Sequence, residues 1–202
     1  MTTSHLDLGC GATPRNPYGC DELHGVDLDV PSGADPRRFR AANVCLDPIP
    51  HADSSFDSVS AFDFLEHVPR VLGSADGRGT RFPVIELMNE IHRVLKPDGR
   101  FYALTPAYPR AESFQDPTHV NFITERTCHY FCGDKPMARM YGFTGSFALL
   151  RNEWAIHPEA FNADAAIKWS RRLKRWRYRR FGRLSHLMWE FACIKNTVSA
   201  AP

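Results

Sequence analysis

Leu6-Asp7-Leu8-Gly9-Cys10-Gly11 is a short apolar run that ends in a Gly-x-Gly turn. The run reads as a strand, and glycines are needed after it because the backbone must turn sharply and come close to a ligand that a Cβ would push away. The turn is expected to open a helix. Further on, Gly25-Val26-Asp27-Leu28-Asp29 closes a second apolar run on carboxylates. At this place in an open parallel sheet an acid accepts hydrogen bonds from both ribose hydroxyls of an adenosine, and Asp27 is the residue expected to do so. Asp29, followed by Val30-Pro31, is expected only to cap a turn. A dinucleotide site would want a third glycine three positions beyond Gly11, and that position is Pro14. A pyrophosphate cradle, and with it a nicotinamide-dependent oxidoreductase, is therefore disfavoured. Asp7 has no use against a phosphate. It can orient the amides of the turn or meet an ammonium group, which suits a sulfonium amino acid.

Outward from that stretch, short apolar runs alternate with helical ones, the pattern of βα units and a largely parallel sheet. Strands are predicted over His5–Leu8 and His24–Leu28, briefly near Val44, and over Phe56–Phe62, which leads into a short helix that Pro69 ends. Gly73–Arg81 has the composition of a loop. In Pro83–Leu95, Val84, Leu87, Met88, Ile91, Val94 and Leu95 fall on one helical face. Lys96-Pro97-Asp98-Gly99 stops that helix, and Arg100–Leu104 resumes as a strand. Thr124–Phe131 reads as a short helix capped by Thr124. Phe147–Ile156 and Leu187–Lys195 read as an antiparallel pair added at the sheet's end.

With 202 residues and 43% hydrophobic content, the chain supports one α/β domain. The six cysteines are scattered and read as reduced thiols. There is no apolar run long enough to span a membrane, and Met1 leads almost directly into the first strand, so a cytoplasmic chain without a signal peptide is expected. The net charge of +2 says little, but Lys168–Arg183 holds nine basic residues and no acidic one.

Taken in order, Leu6–Gly11, Gly25-Val26-Asp27, Pro50–Asp57, Leu65-Glu66-His67-Val68 and Glu90–Gly99 resemble the successive motifs of class I S-adenosylmethionine-dependent methyltransferases of the small-molecule, type 11 kind. The resemblance covers roughly His5 to Thr105, with Thr13 standing where the family often has a third glycine. It implies a Rossmann-like, mostly parallel seven-stranded sheet with helices on both faces and an antiparallel last strand. It also implies a donor-binding half over residues 1–105 and an acceptor-side half over 106–202, the latter carrying a basic helical insertion at about 160–186. S-adenosylmethionine is the implied methyl donor. Its site is expected to involve Asp7, Gly9, Gly11 and Asp27, with Asn43 and Val44 at the adenine and Phe62 and Asp63 facing the methionine moiety.

Methyl transfer from a sulfonium needs alignment and, for a hydroxyl acceptor, removal of a proton. Glu66-His67 has the composition of a catalytic dyad, but it belongs to the family's ordinary helix-start pattern, so a structural or donor-lining role is expected. Gln115–Phe122 packs Asp116, His119 and Asn121 into one loop, and similar Asp-Pro-x-His segments occur in methyltransferases found with polysaccharide-modifying enzymes. His119 is the expected acceptor-site residue, as base or hydrogen-bond donor. No metal is expected, because His119, Cys128 and Cys132 match no usual zinc spacing.

The acceptor is expected to be a small molecule or saccharide, methylated on oxygen. The Asn- or Asp-Pro-Pro-aromatic motif of base-amine methylation is missing after the fourth strand, which sets RNA methylation lower, beside a non-catalytic donor-binding partner subunit. In Lys168–Arg183 a stripe of Trp169, Leu173, Trp176 and Arg180 runs through a crowd of cations. It is expected to form a helix that meets an anionic membrane surface, at the inner face, or a lipid-linked acceptor.

Overall fold

A computed structural model of the chain describes residues 2–30, 32–163 and 169–195. Seven strands form one sheet: β1 (Ser4–Leu8), β2 (Glu22–Asp27), β3 (Phe39–Ala41), β4 (Phe56–Phe62), β7 (Leu95–Pro106), β8 (Phe147–Ala155) and β9 (His186–Cys193). A minimal hairpin, β5 (Leu72–Gly73) and β6 (Thr80–Arg81), stands apart from it. The sheet order is β3-β2-β1-β4-β7-β9-β8, and all pairings are parallel except those of β9 with β7 and β8. The expected mostly parallel sheet with an antiparallel last strand is thus present.

The two faces of the sheet are covered differently. On one, Leu6, Leu8, Val59, Ala61, Phe101 and Phe191 meet α1 (Pro83–Val94), which buries Ile85, Leu87, Met88, Ile91 and Val94. Pro83 opens this helix at a position where a missing N–H costs nothing. Arg93 fastens its end, binding Glu90 (2.6 Å), Asp53 (2.8 Å) and the carbonyls of Ile49 and His51.

On the other face, strand alternation lines up His5, Asp7, Ser58 and Ser60, all buried. His5 Nδ1 and Nε2 lie 2.7 and 2.8 Å from the Ser58 and Ser60 hydroxyls, and Ser60 donates to Asp7 (2.6 Å). Among the described residues, coil and a 3-10 turn close over this layer: Tyr18 donates to Glu190 (2.8 Å), and Tyr102 donates to the Ala160 carbonyl (2.6 Å).

Several local expectations are corrected. No helix follows the glycine turn. Residues 9–21 are irregular, because Pro14 and Pro17 both lack the N–H a helical ladder needs and Asn16 bonds the backbone of Cys20 instead. Val44 sits in a turn closed by the Asn43 carbonyl, and the third strand lies earlier, at Phe39–Ala41. Thr124 starts a hydroxyl-bonded turn with Arg126 and Thr127, and the helix beyond it is a 3-10 segment at Thr127–Phe131. The basic stretch forms α2 (Trp169–Arg180), with Lys168 outside the described residues. No helix is long and apolar enough to cross a membrane among the described residues.

Candidate active site

Because β1, β2, β4 and β7 are parallel, their carboxyl ends share one edge of the sheet, and β9 starts there too, with His186 paired to Pro106. A cavity of about 440 Å³ opens at this edge, lined by Gly9, Asp27, Asn43, Val44, Asp63, Phe64 and His67 among others. Its size falls within the roughly 300–1,000 Å³ of small-ligand sites.

Gly9 has φ +65, and a Cβ there would stand 2.5 Å from the Phe64 ring, so the close approach that demands glycine is made by a side chain of the cavity wall. At Gly11 (φ +54) nothing crowds a Cβ, and the backbone conformation alone selects glycine. The Gly11 N–H donates to Asp27 Oδ2 (2.7 Å) and the Leu28 N–H to Oδ1 (2.6 Å), which fixes the carboxylate at the mouth of the cavity. Asn43 is held in the same way, its Oδ1 accepting from the Cys45 N–H (3.2 Å).

Two of the residues expected around the donor are placed elsewhere. Asp7 is fully buried beneath the turn, bonded to the Arg15 N–H (2.8 Å) and the Ser60 hydroxyl, and is not part of the cavity lining. Burial pushes its carboxyl up to about 6. These bonds tie Asp7 to the loop after the turn. Phe62 points to the coil-covered face and packs on Tyr102 and Phe161, since strand alternation turns it away from the cavity.

Beyond Asp63 and His67 the edge becomes rich in imidazoles. His157 Nε2 is 2.6 Å from Asp63 Oδ2, and His186 Nε2 is 3.2 Å from Oδ1. Burial alone would raise the Asp63 carboxyl, but the two histidines outweigh it and hold it well below the usual carboxylate range. Glu66, on the 3-10 turn Leu65–His67, is 1% exposed. Its Oε2 accepts from the Thr105 hydroxyl (3.0 Å), its Oε1 has no partner, and burial pushes the carboxyl up to about 8.

The loop of His119 is tied onto this turn. The Val120 and Asn121 N–H groups donate to the Glu66 carbonyl (2.8 and 3.1 Å), and the Asn121 amide donates to the carbonyls of Leu65 and Val68. His119 therefore stands edge-on to His67, ring centroids 4.7 Å apart. The structure brings His119 to Glu66 and His67 and not to the cysteines. Among the described residues two groups have metal-ligand spacing, Asp63–His157–His186 and Glu66–His67–His119. His157 and His186 escaped the sequence reading because nothing near them in the chain marks them, and only the topology brings them to Asp63. The signal that did exist for Glu66 was its place beside His67 in an otherwise apolar turn.

A methyltransferase domain model matches residues 6–103. No curated protein matches the chain by sequence. Among solved structures, the chain is similar to an S-adenosylmethionine-dependent methyltransferase from Mesorhizobium loti (16% identity, TM-score 0.53, 95% of this chain and 91% of that one). It is also similar to one from Archaeoglobus fulgidus (14%, TM-score 0.52, 95% and 86%). A third is Burkholderia thailandensis 1,6-didemethyltoxoflavin-N1-methyltransferase, solved with 1,6-didemethyltoxoflavin and S-adenosylhomocysteine (17%, TM-score 0.51, 96% and 72%). At these identities the likeness is one of fold. The cavity suits the donor: an acid stands at the end of β2, Gly9 borders it with no side chain, and Asp63 closes the end nearest the histidines. The motifs of residues 6–103 and the sheet order agree: this part of the chain matches the methyltransferase domain family, the fold is that of class I methyltransferases, and both support an S-adenosylmethionine-dependent methyltransferase with S-adenosylmethionine as its methyl donor.

Proposed function

We propose that the chain methylates a hydroxyl of a small-molecule or saccharide acceptor bound at the histidine-rich end of the cavity. The observation that carries this reading is the pair of carboxylate–histidine groups that adjoin the donor cavity through Asp63 and His67. S-adenosylmethionine supplies a methyl group already activated on a positively charged sulfur. Alignment and proton handling are left to the protein. Gly9, Asp27, Asn43 and Val44 hold the donor, Asp27 through the ribose. His119 and His67 position the acceptor oxygen. The hydroxyl proton passes to His157, whose imidazolium the Asp63 carboxylate stabilises, the division of labour of a carboxylate–imidazole pair.

A hydroxyl needs such a base, whereas an unprotonated amine already has its attacking lone pair, and this favours oxygen over nitrogen as the methylated atom. The test is transfer of labelled methyl groups into fractionated cell extract, followed by identification of the product. Label on oxygen of a low-mass or saccharide product is expected, and lost in His157→Ala. Label on RNA, or on nitrogen, would overturn the reading.

The partner surface is α2. Leu173 and Trp176 are 44% and 64% exposed, Phe181 just beyond the helix is 69% exposed, and Arg177, Arg179 and Arg180 stand among them. Exposed apolar side chains interleaved with cations suit the interface of an anionic membrane, where a lipid-linked saccharide would present its head group. Co-sedimentation with anionic but not neutral liposomes, weakening with salt, is expected. Binding to neither at low salt would remove the membrane from the proposal.

A further inference from the structure

We propose that Glu66, His67 and His119 form a binding site for one divalent transition-metal cation, which holds an oxygen of the acceptor beside the methyl donor. One ligand atom of each residue lies within 4.8 Å of one from each of the others. What each residue has left over makes the case. Glu66 is 99% out of solvent, with one carboxyl oxygen spent on Thr105 and the other without a hydrogen-bond partner among the described residues. His119, its side chain 9% exposed, has its Nε2 turned to Asp116 (3.9 Å) and its Nδ1 buried without a partner. His67 spends its Nδ1 on the Thr118 hydroxyl (2.9 Å), which in turn donates to Asp116 (2.7 Å). Each ring thus has one nitrogen on the side of the Asp116–Thr118 turn, hydrogen-bonded there in His67 and at ion-pair distance in His119, and one to spare.

This is how histidine ligands are built. The outer nitrogen is held by a carboxylate or hydroxyl, which fixes tautomer and ring plane and leaves the inner nitrogen for the metal. Buried polar atoms without partners are otherwise costly, and two lie together here. Two imidazoles and one carboxylate with open positions favour Zn²⁺, Fe²⁺, Mn²⁺ or Co²⁺ over Mg²⁺ and Ca²⁺, which prefer all-oxygen shells. The neighbouring Asp63–His157–His186 group differs in how its atoms face: the imidazole nitrogens of His157 and His186 stand 2.6 and 3.2 Å from the Asp63 carboxylate itself, His157 hydrogen-bonded to it, so they meet the carboxylate directly and leave no space between them for an ion.

The role given to the cation rests on the acceptor site proposed above, but its binding can be measured without any acceptor. The tag-free protein is titrated with Co²⁺ and followed by visible absorption and calorimetry, with Zn²⁺ as competitor. One equivalent of Co²⁺, displaced by Zn²⁺, is expected. Binding should be lost in Glu66→Gln and in His119→Ala, fall about tenfold in Thr118→Val, and survive in Asp63→Asn. Because Glu66 is buried, His119→Ala on its surface loop carries the result if Glu66→Gln does not fold. No saturable Co²⁺ uptake, a thiolate charge-transfer band, or uptake that survives His119→Ala but not Asp63→Asn would overturn the site. A metal-binding protein that labels nitrogen instead of oxygen would leave the site standing and sink the proposed reaction alone.

Discussion

The two ends of the cavity are made by different means. At the donor end, the Gly9–Gly11 turn and the Asp27 carboxylate are fixed by backbone conformation and backbone N–H groups, all within one strand–coil–strand stretch of chain. At the acceptor end, side chains from the turns after β4, the loop after β7, the turn after β8 and the start of β9 converge, and little but side-chain chemistry defines them. The first arrangement tolerates few sequences and recognises one ligand. The second can change its acceptor by changing a few residues without disturbing the sheet.

If that contrast is right, damage at the two ends should be read by different assays. The largest effect is expected at the acceptor end. His119→Ala should lower turnover by about 100-fold or more, the range of a lost positioning or proton-transfer group, while donor affinity stays within about twofold. A collapse of donor affinity instead would break the contrast. Next comes the backbone itself: Gly9→Ala must accommodate a positive φ and a Cβ 2.5 Å from the Phe64 ring. It should cost about 1–3 kcal/mol of stability, visible as a lowered melting temperature even without ligand. Asp27→Ala leaves the sheet intact and should weaken donor binding by about 1–3 kcal/mol for two ribose hydrogen bonds, measured by calorimetry. Unchanged affinity would remove Asp27 from the ribose.

The smallest effect concerns the polar layer under the donor end. Burial lowers His5 to about 3. The unfolded chain therefore takes up a proton below about pH 6.5 that the native state refuses, and stability falls with acid by up to about 1.4 kcal/mol per pH unit. His51, lowered to about 4 by burial, acts with the same sign. Asp7, raised to about 6, acts with the opposite sign, because the native state takes up its proton between pH 6 and 4 while the unfolded carboxyl is still ionised. Asp7→Asn should therefore steepen the acid loss over that window in denaturant titrations. An unaltered slope would show that Asp7 does not titrate there.

The same contrast explains what could be read from the sequence. The glycine turn, the acid ending β2 and the apolar stripe of α1 are local patterns, and each was legible, whereas the strand expected near Val44 lies earlier, at Phe39–Ala41. The missing helix after Gly11 had its warning in Pro14 and Pro17, but a Gly-x-Gly turn looks the same whether coil or helix follows it. His119 could be found because Asp, His and Asn crowd one loop. The bond between Asp63 and His157 depends on where β8 ends, and no spacing in the chain announces it. Glu66 could be seen in the sequence, but its loneliness could not: only burial shows that one of its oxygens has nothing to bind.

The coil that replaces helix between the early strands also bears on how the molecule assembles. Parallel strands must be joined by long crossovers, and a helix in the crossover supplies local structure that forms fast and shortens the search. Between β1 and β4 the described residues contain no α-helix. The pairing of β3, β2, β1 and β4 must then be reached by closing loops that hold little order of their own. Refolding is accordingly expected in the slow range of topologies dominated by non-local contacts, roughly milliseconds to seconds. Until α1 docks, the apolar face of β1 and β4 stays open to other chains, which makes the yield of native protein sensitive to concentration during refolding.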